Sequence, residues 1–536
     1  MKKPFKKVLF IIIFITLSLI VLFLIRNIKN TSIIYGDETM DGNQHDKITI
    51  QYGDINGDGS VNIGDGVVMK KHLAGMDINI NAIAGDVNLD GTINTSDTIL
   101  LMKYLAGIKV ELGVAKQPNE SDTHAPYDGA YPCHEPYGTG IGAMPGRVVW
   151  SYNPDSVKWD GNGYWWEPTH FNENVILQMV NQSIASLGGN KTAKEGWNTL
   201  FTENKKSCNK SGGYIKNEKI AIKANINGSG VFDDDFSGKT QMSYTNPVLL
   251  KTVLLSLVQE GGVNPSDITV YDVSRTFPNY MVEMCTQNEL QGVHFVGRNN
   301  GTADEQTPIY WSYSFSGKIN YLPTCVTEAT YIINLANLKG HNYGITLCGK
   351  NHFGSFINGN ALRPPEGANL HQWLTKNEMG IYSPLTDLMA NADLGGKTVL
   401  YMLDAIICAP SEGASITEKN AKWQQSPFNG NYTSSIFVSQ DPVAIDSVGA
   451  DFLINEPAIT ENNYAAQNIN SENYLHEAGL VANTPSNTIY TDNQGNHVSN
   501  LGVHEHWNNS SEKLYSRNLG KNEGIELIKI NYSYDT

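Results

Sequence analysis

The chain has no closely spaced cysteines. Its six, Cys133, Cys208, Cys285, Cys325, Cys348 and Cys408, are scattered, and no two form a CxxC step. That excludes the cysteine runs of zinc ribbons, thioredoxin-like redox sites and ferredoxin-type clusters. Outside the cell the six could pair as disulfides; scattered buried thiols are the alternative. Basic tracts are scarce beyond the opening MKKPFKK. Against 38 Lys and Arg stand 54 Asp and Glu, a formal net charge of -16. This balance argues against nucleic acid as a partner, because a phosphate backbone would be repelled. The sequence contains no glycosidase signature, although its acids leave room for the two carboxylates such an enzyme needs. His504-Glu505-His506 lacks the HExxH spacing that puts two His on one helix face, and it reads as structural. Gly138-x-Gly140 follows no predicted strand, so it is not a dinucleotide loop.

What is present divides into parts. A length of 536 residues exceeds one ordinary domain. After the basic start, Val8–Ile25 is apolar with only Thr16 and Ser18 interrupting. A basic start and an apolar run predict export. The run approaches the ~20 residues that span a bilayer, so 1–30 is a long signal peptide or an uncleaved membrane anchor. A linker over 31–50 follows.

Two stretches then repeat one pattern: Asp54–Asp65 (DINGDGSVNIGD) and Asp86–Asp97 (DVNLDGTINTSD). Oxygen ligands fall at positions 1, 3 and 5: Asp54, Asn56 and Asp58 in the first copy, Asp86, Asn88 and Asp90 in the second. The carbonyls of Ser60 and Thr92 supply position 7, Asn62 and Asn94 stand at 9, and Asp65 and Asp97 close each loop at 12. Gly59 and Gly91 permit the sharp turn. This spacing predicts two calcium ions, one per loop. Each loop leads into an apolar helical run, with no entering helix evident.

A loop–helix duplication with Asp at position 12 resembles the dockerin module of cellulosomal proteins, here over 51–113. The resemblance implies that calcium orders the module and that it docks onto a cohesin domain of a scaffold protein. It implies docking residues at Ile63, Gly64, Lys70 and Lys71 in the first copy, and at Thr95, Ser96, Met102 and Lys103 in the second. A module that must reach a scaffold favours cleavage of the N-terminal segment, hence a secreted, cellulosome-associated protein concerned with polysaccharide catabolism. Membrane attachment follows only if that segment stays.

Residues 114–130 read as a second linker, and 131–536 as one large domain. Asn172–Leu187 has helical periodicity, and Asn246–Glu260 is a helix with Pro247 in its first turn. Strands are predicted at Lys219–Ile226, Ile268–Val273, Tyr331–Leu335 and Val399–Leu403. Alternating strands and helices predict an α/β fold, a mostly parallel or mixed sheet with helices on both faces. The preceding module is a small all-α unit.

Lys219–Gly230 (KIAIKANINGSG), Ile332–His341 (IINLANLKGH), Gly344–Gly354 (GITLCGKNHFG) and Ser439–Asp451 (SQDPVAIDSVGAD) resemble the bacterial domain of unknown function 362. The tail segments NYLHEAG, LGVHEHWN and YSRNLG resemble secreted members of that group, so the likeness runs from Tyr131 to Ile528. It implies no established activity. Some relatives carry ferredoxin-like clusters, for which this chain lacks the cysteines.

Three sets of residues could do chemistry. Lys223, Asn225, Asn227, Gly228 and Gly230 at a strand end could hold an anionic or hydroxyl-rich ligand. Lys339, His341, Lys350, Asn351 and His352 could bind a second metal or move protons. Asp404, Asp441 and Asp446 could be acids or helix caps. In an open α/β sheet strand ends meet along one edge, so Lys223, His341, Lys350, His352 and Asp404 are the expected catalytic group. Gly340, Gly344, Gly349 and Gly354 would let the backbone bend around a ligand. The aromatic segment Trp150–Trp166 could be core or could stack on cell-wall polysaccharide. The large domain is therefore read as an enzyme on an anionic or polysaccharide-derived substrate, a polysaccharide-binding module, or a structural passenger.

Overall fold

The computed structural model describes residues 51–74, 76, 78–87, 93, 95–108, 110, 112, 131–229, 239–313, 319–357, 370–376, 378–460 and 468–531. The apolar run at Val8–Ile25 lies outside them, as do Gly230 and the loop residues Asn88, Asp90, Gly91, Thr92 and Asn94. Among the described residues no helix is long and apolar enough to cross a membrane. The chain divides into two compact units, Met1–Ser121 and Asp122–Thr536.

In the first unit each loop runs into a helix, α1 (Ile63–Leu73) and α2 (Thr95–Leu105). Asn62 caps α1 in a reciprocal box with Asp65, so the last loop positions also start the helix. A short helix, Ala82–Gly85, precedes the second loop, where the sequence shows no periodicity to predict one. Ile55, Met69 and Leu101 form the core between the two copies.

The second unit is built on a nine-stranded sheet. In chain order its strands are β1 (Arg147–Tyr152), β2 (Ile220–Lys223), β3 (Ile268–Asp272), β4 (His294–Gly297), β5 (Tyr331–His341), β6 (Gly344–Thr346), β7 (Thr398–Ala409), β8 (Ser435–Ser439) and β9 (Glu526–Asn531). The spatial order is β9-β1-β8-β7-β5-β2-β3-β4, with β6 folded back on β5. β7, β5, β2, β3 and β4 are mutually parallel; β8 and β6 run against their neighbours. The sheet is thus mixed and mainly parallel. β5 and β7 are buried along their whole length, which is why they read as near-continuous apolar runs.

Alternation along the strands splits the core in two. Val149, Ile220, Ile222 and Met402 face one layer, with α3 (Glu173–Leu187), α4 (Ala193–Ser207) and α5 (Pro247–Gln259). Val148, Trp150, Tyr401 and Leu403 face the other, with α6 (Cys348–Asn351), α7 (Pro384–Ala390), α8 (Pro442–Ile454) and α9 (Asn470–Gly479). Helices therefore cover both faces, as the alternating elements predict.

Three alternatives left open by the sequence each narrow to one. Trp150, Trp159, Trp165 and Trp166 are buried, so they are core and offer no row for sugar stacking. Asp441 and Asp446 are caps: Asp441 accepts from Val443 and Ala444 at the start of α8, and Asp446 from Cys348 and Gly349 at the start of α6. All six cysteines are free thiols.

Candidate functional site

In the first loop the donor set is entirely oxygen. Asp54 accepts from the N–H groups of Asp58 (3.0 Å) and Gly59 (2.9 Å), and Asp65 from those of Ile55 (2.9 Å), Asn56 (3.1 Å) and Asn62 (2.8 Å). Both carboxylates are buried, yet these bonds come from neutral amides. Crowded acids with no cationic side chain bonded to them among the described residues, on a loop turned by Gly59 at φ +84°, fit a hard divalent cation. The second loop closes the same way, Val87 donating to the buried Asp97 at 3.0 Å just as Ile55 does to Asp65. Ile63, Lys70, Lys71, Met102 and Lys103 are exposed, and Gly64 is half-buried. Thr95 and Ser96 open α2. Ile63 and Val67, one turn apart on α1, leave an apolar strip in water.

In the large unit, Lys223, Asp272 and His341 are the last residues of β2, β3 and β5. These strands are parallel, so all three side chains arrive at one edge. They line a cavity of about 310 Å³ with Asn225, Asn227, Lys350 and Asn351 from the expected sets, and with Arg275, Thr346, Phe353 and His371. Lys223 donates to Asp272 (3.1 Å), to Asn351 (3.3 Å) and to the Ala224 carbonyl. Lys339, buried behind the wall, donates to Asn225 (3.2 Å) and the Ser243 carbonyl (2.9 Å). Burial lowers both amines, Lys339 to about 8. Lys350 lies over the Phe353 ring at 3.8 Å and 3.3 Å from His371 Nε2; burial pulls it down to about 7.

His341 Nδ1 accepts from the Tyr343 N–H at 3.0 Å, and its ring stacks on His371. Burial, then neighbouring Lys350, holds His341 near 2 and His371 near 4, so both rings are neutral at pH 7. Among the described lining residues cations outnumber acids, Asp272 being the carboxylate there, and Glu412 lies 3.8 Å from His341 Nε2.

Other expected members are elsewhere. His352 is fully buried, with Nε2 3.0 Å from Asn334 and Nδ1 2.9 Å from Ser355. Both ring nitrogens are engaged, so it shares no metal with His341. Asp404 accepts from Asn246 (2.6 Å), which starts α5, and from Ile406 (3.2 Å); it does not line the cavity. Burial raises it to about 7. Gly228 sits in the turn Asn227–Ser229 behind the wall. The glycines serve close packing more than bending: a Cβ on Gly354 would lie 2.5 Å from Asp272 Oδ1 and 2.8 Å from Lys223 Nζ. Arg275 and His371 were missed. A cation three residues beyond Asp272 was a usable signal for the first; nothing local marks the second.

His504 and His506 gain neighbours that helical spacing does not reveal. They lie in and just after the strand Val503–His504, which pairs with Tyr137–Gly138, and there i and i+2 share a face. The helical HExxH test was the wrong test. Their rings meet His134 and Glu472, with one ligand-type atom from each residue within 4.8 Å of the others.

A family model described as dockerin type I domain matches residues 52–106, and one described as domain of unknown function (DUF362) matches 220–451. No curated protein matches the chain. A solved type I cohesin–dockerin complex from Clostridium thermocellum is similar at 36% identity, over 11% of this chain and 94% of that one, with a TM-score of 0.11. The second family match is narrower than the likeness read from Tyr131 to Ile528, and it leaves out His134, Glu472, His504 and His506. The chain therefore carries a dockerin type I domain and, downstream of it, a domain of unknown function 362.

Proposed function

We propose that the protein is an extracellular cellulosome component whose dockerin takes two calcium ions and docks onto a cohesin of a scaffold protein. The observation that carries this is the repeated loop, closed alike by Asp65 and Asp97 over one shared core. Asp54, Asn56, Asp58, Asp65 and the Ser60 carbonyl would hold the first ion; Asp86, Asn88, Asp90, Asp97 and the Thr92 carbonyl the second. Calcium would neutralise acids that otherwise repel, which couples ion uptake to folding. Ile63, Lys70, Lys71, Met102 and Lys103 would then meet the cohesin, with Gly64, Thr95 and Ser96 at the helix starts.

Calorimetry on the full chain should find two calcium sites, and cohesin binding should vanish in chelator. Asp54→Ala with Asp86→Ala should remove both. No calcium uptake, or cohesin binding undiminished in chelator, would sink the proposal.

The α/β domain is then the passenger. Its cavity favours a ligand with an anionic group, because among the described lining residues Lys223, Arg275 and Lys350 stand against Asp272, which is paired to Lys223. Neutral His341, with Nδ1 taken by the Tyr343 N–H, has its Nε2–H left to donate a hydrogen bond to such a ligand.

A further inference from the structure

The strongest unexplained cluster in the large unit is the group of His134, Glu472, His504 and His506. Three separate segments build it. His134 lies ahead of the strand Tyr137–Gly138; His504 and His506 come from the strand paired to it; Glu472 comes from α9. Glu472, His504 and His506 are buried, and His134 is half-buried.

The hydrogen bonds decide which nitrogens carry protons. His134 Nδ1 is 2.7 Å from the Glu135 carbonyl, which can only accept, so this nitrogen bears the hydrogen. His506 Nδ1 is 2.6 Å from Asp451 Oδ1 and donates likewise. His504 Nδ1 is 2.8 Å from Ser447 Oγ, whose own hydrogen goes to the Val443 carbonyl at 2.7 Å. It too must donate. Ser447 and Asp451 are one turn apart on α8, so one helix face orients two imidazoles.

With Nδ1 of each ring donating, the three Nε2 atoms face one space, and each would present a lone pair there once unprotonated. His134 Nε2 and His504 Nε2 are 3.2 Å apart. His506 Nε2 is 3.1 Å from both Glu472 oxygens, and His504 Nε2 is 3.5 Å from one of them. Nitrogens and a carboxylate at these distances need a cation among them, either a proton on an imidazole such as His506, whose Nε2 lies on Glu472, or a metal ion. A carboxylate, a hydroxyl and a carbonyl behind the ligating rings are the usual outer shell of a metal-bound histidine. His476 adds a further bond to Glu472 at 2.8 Å, and Tyr137 stacks on His134 at 4.2 Å between centroids.

We propose that His134 Nε2, His504 Nε2, His506 Nε2 and a Glu472 oxygen bind one divalent transition-metal ion of the zinc class. Three imidazoles and a carboxylate suit zinc, with no thiolate, and they differ from the all-oxygen set of the calcium loops. Four protein ligands close the coordination sphere, so the site is structural. It ties the segment around His134 to α9 and to the paired strand, outside the matched part of the family.

Zinc offered to the purified full-length chain should be retained at one equivalent after dialysis. Cobalt in its place should give the intense visible absorption of a tetrahedral site. Stripping with a strong chelator and restoring calcium alone should lower the melting temperature of the large unit, and zinc should return it. His134→Ala, at the half-buried rim where folding is least at risk, and Glu472→Gln should each weaken zinc retention by at least tenfold. Asp54→Ala with Asp86→Ala should keep the zinc. A folded wild-type chain that retains neither zinc nor cobalt would overturn the proposal, leaving protons as the cations between the rings. So would zinc retention unchanged in both ligand variants.

Discussion

The calcium loops and the polar sites of the large unit gather charged groups in opposite ways. A loop collects Asp54, Asn56, Asp58 and Asp65 from one turn of chain, and its own N–H groups orient the carboxylates. The cavity and the histidine cluster draw their groups from elements far apart in the chain. Lys223 and Asp272 meet because β2 and β3 are parallel neighbours, and His134 meets His504 because two short strands pair. A locally built site can be lost with little beyond its own module. A site assembled by the sheet shares its fate with the core.

The largest expected effect tests that contrast directly. Lys223 and Asp272 form an ion pair buried from solvent on both sides. Asp272→Ala leaves a buried amine without its carboxylate and should lower the stability of the large unit by about 3–5 kcal/mol. Denaturant melts would show it, while calcium uptake by the loops stays as in wild type. Equal damage to calcium uptake would break the contrast.

Gly354→Ala should have a smaller effect of the same kind. Its Cβ would press on Asp272 and Lys223, which are packed too tightly to give way freely. A loss of about 1–3 kcal/mol is expected by thermal or chemical unfolding. A neutral result would mean that the pair tolerates a shift, and that the cavity edge is softer than its burial implies.

The smallest effect concerns charge in the cavity. Lys350 titrates near 7, facing neutral His341 and His371 with Glu412 nearby. The charged amine gains population as pH falls, so an anion should bind more tightly at low pH. Between pH 8 and pH 6 its charged fraction rises from about one tenth to about nine tenths, and sulfate affinity should rise up to roughly tenfold. Titration calorimetry on wild type and Lys350→Met would check this; the variant should be nearly flat with pH. A wild-type profile as flat as the variant's would remove Lys350 from the ligand's surroundings.

How much was legible follows from the same contrast. The loops, α5 from its Asn246-Pro247 start and the strands ending at Lys223 and Asp272 could be read because each depends on neighbours in sequence. Parallel strands also predicted that Lys223, His341 and Lys350 would share one edge. The same residues did not say which way His352 would turn. Asn334, on β5, and Ser355 claim its two nitrogens, and that competition exists only in the folded core.

By itself, then, the sequence determined the periodic and the local: two repeated acidic loops with their helices, an α/β layer order, and a cationic strand edge. These rest on spacing within a dozen residues or on the alternation that burial imposes. Tertiary structure alone decided which polar groups found partners. It gave Asp404 the N–H groups of Asn246 and Ile406, made Asp441 and Asp446 into caps, brought Arg275 and His371 to the cavity, and set His134 and Glu472 against His504 and His506. The reason is physical: a buried polar atom must be satisfied by whatever the packing brings within about 3 Å, and that neighbour can lie anywhere in the chain.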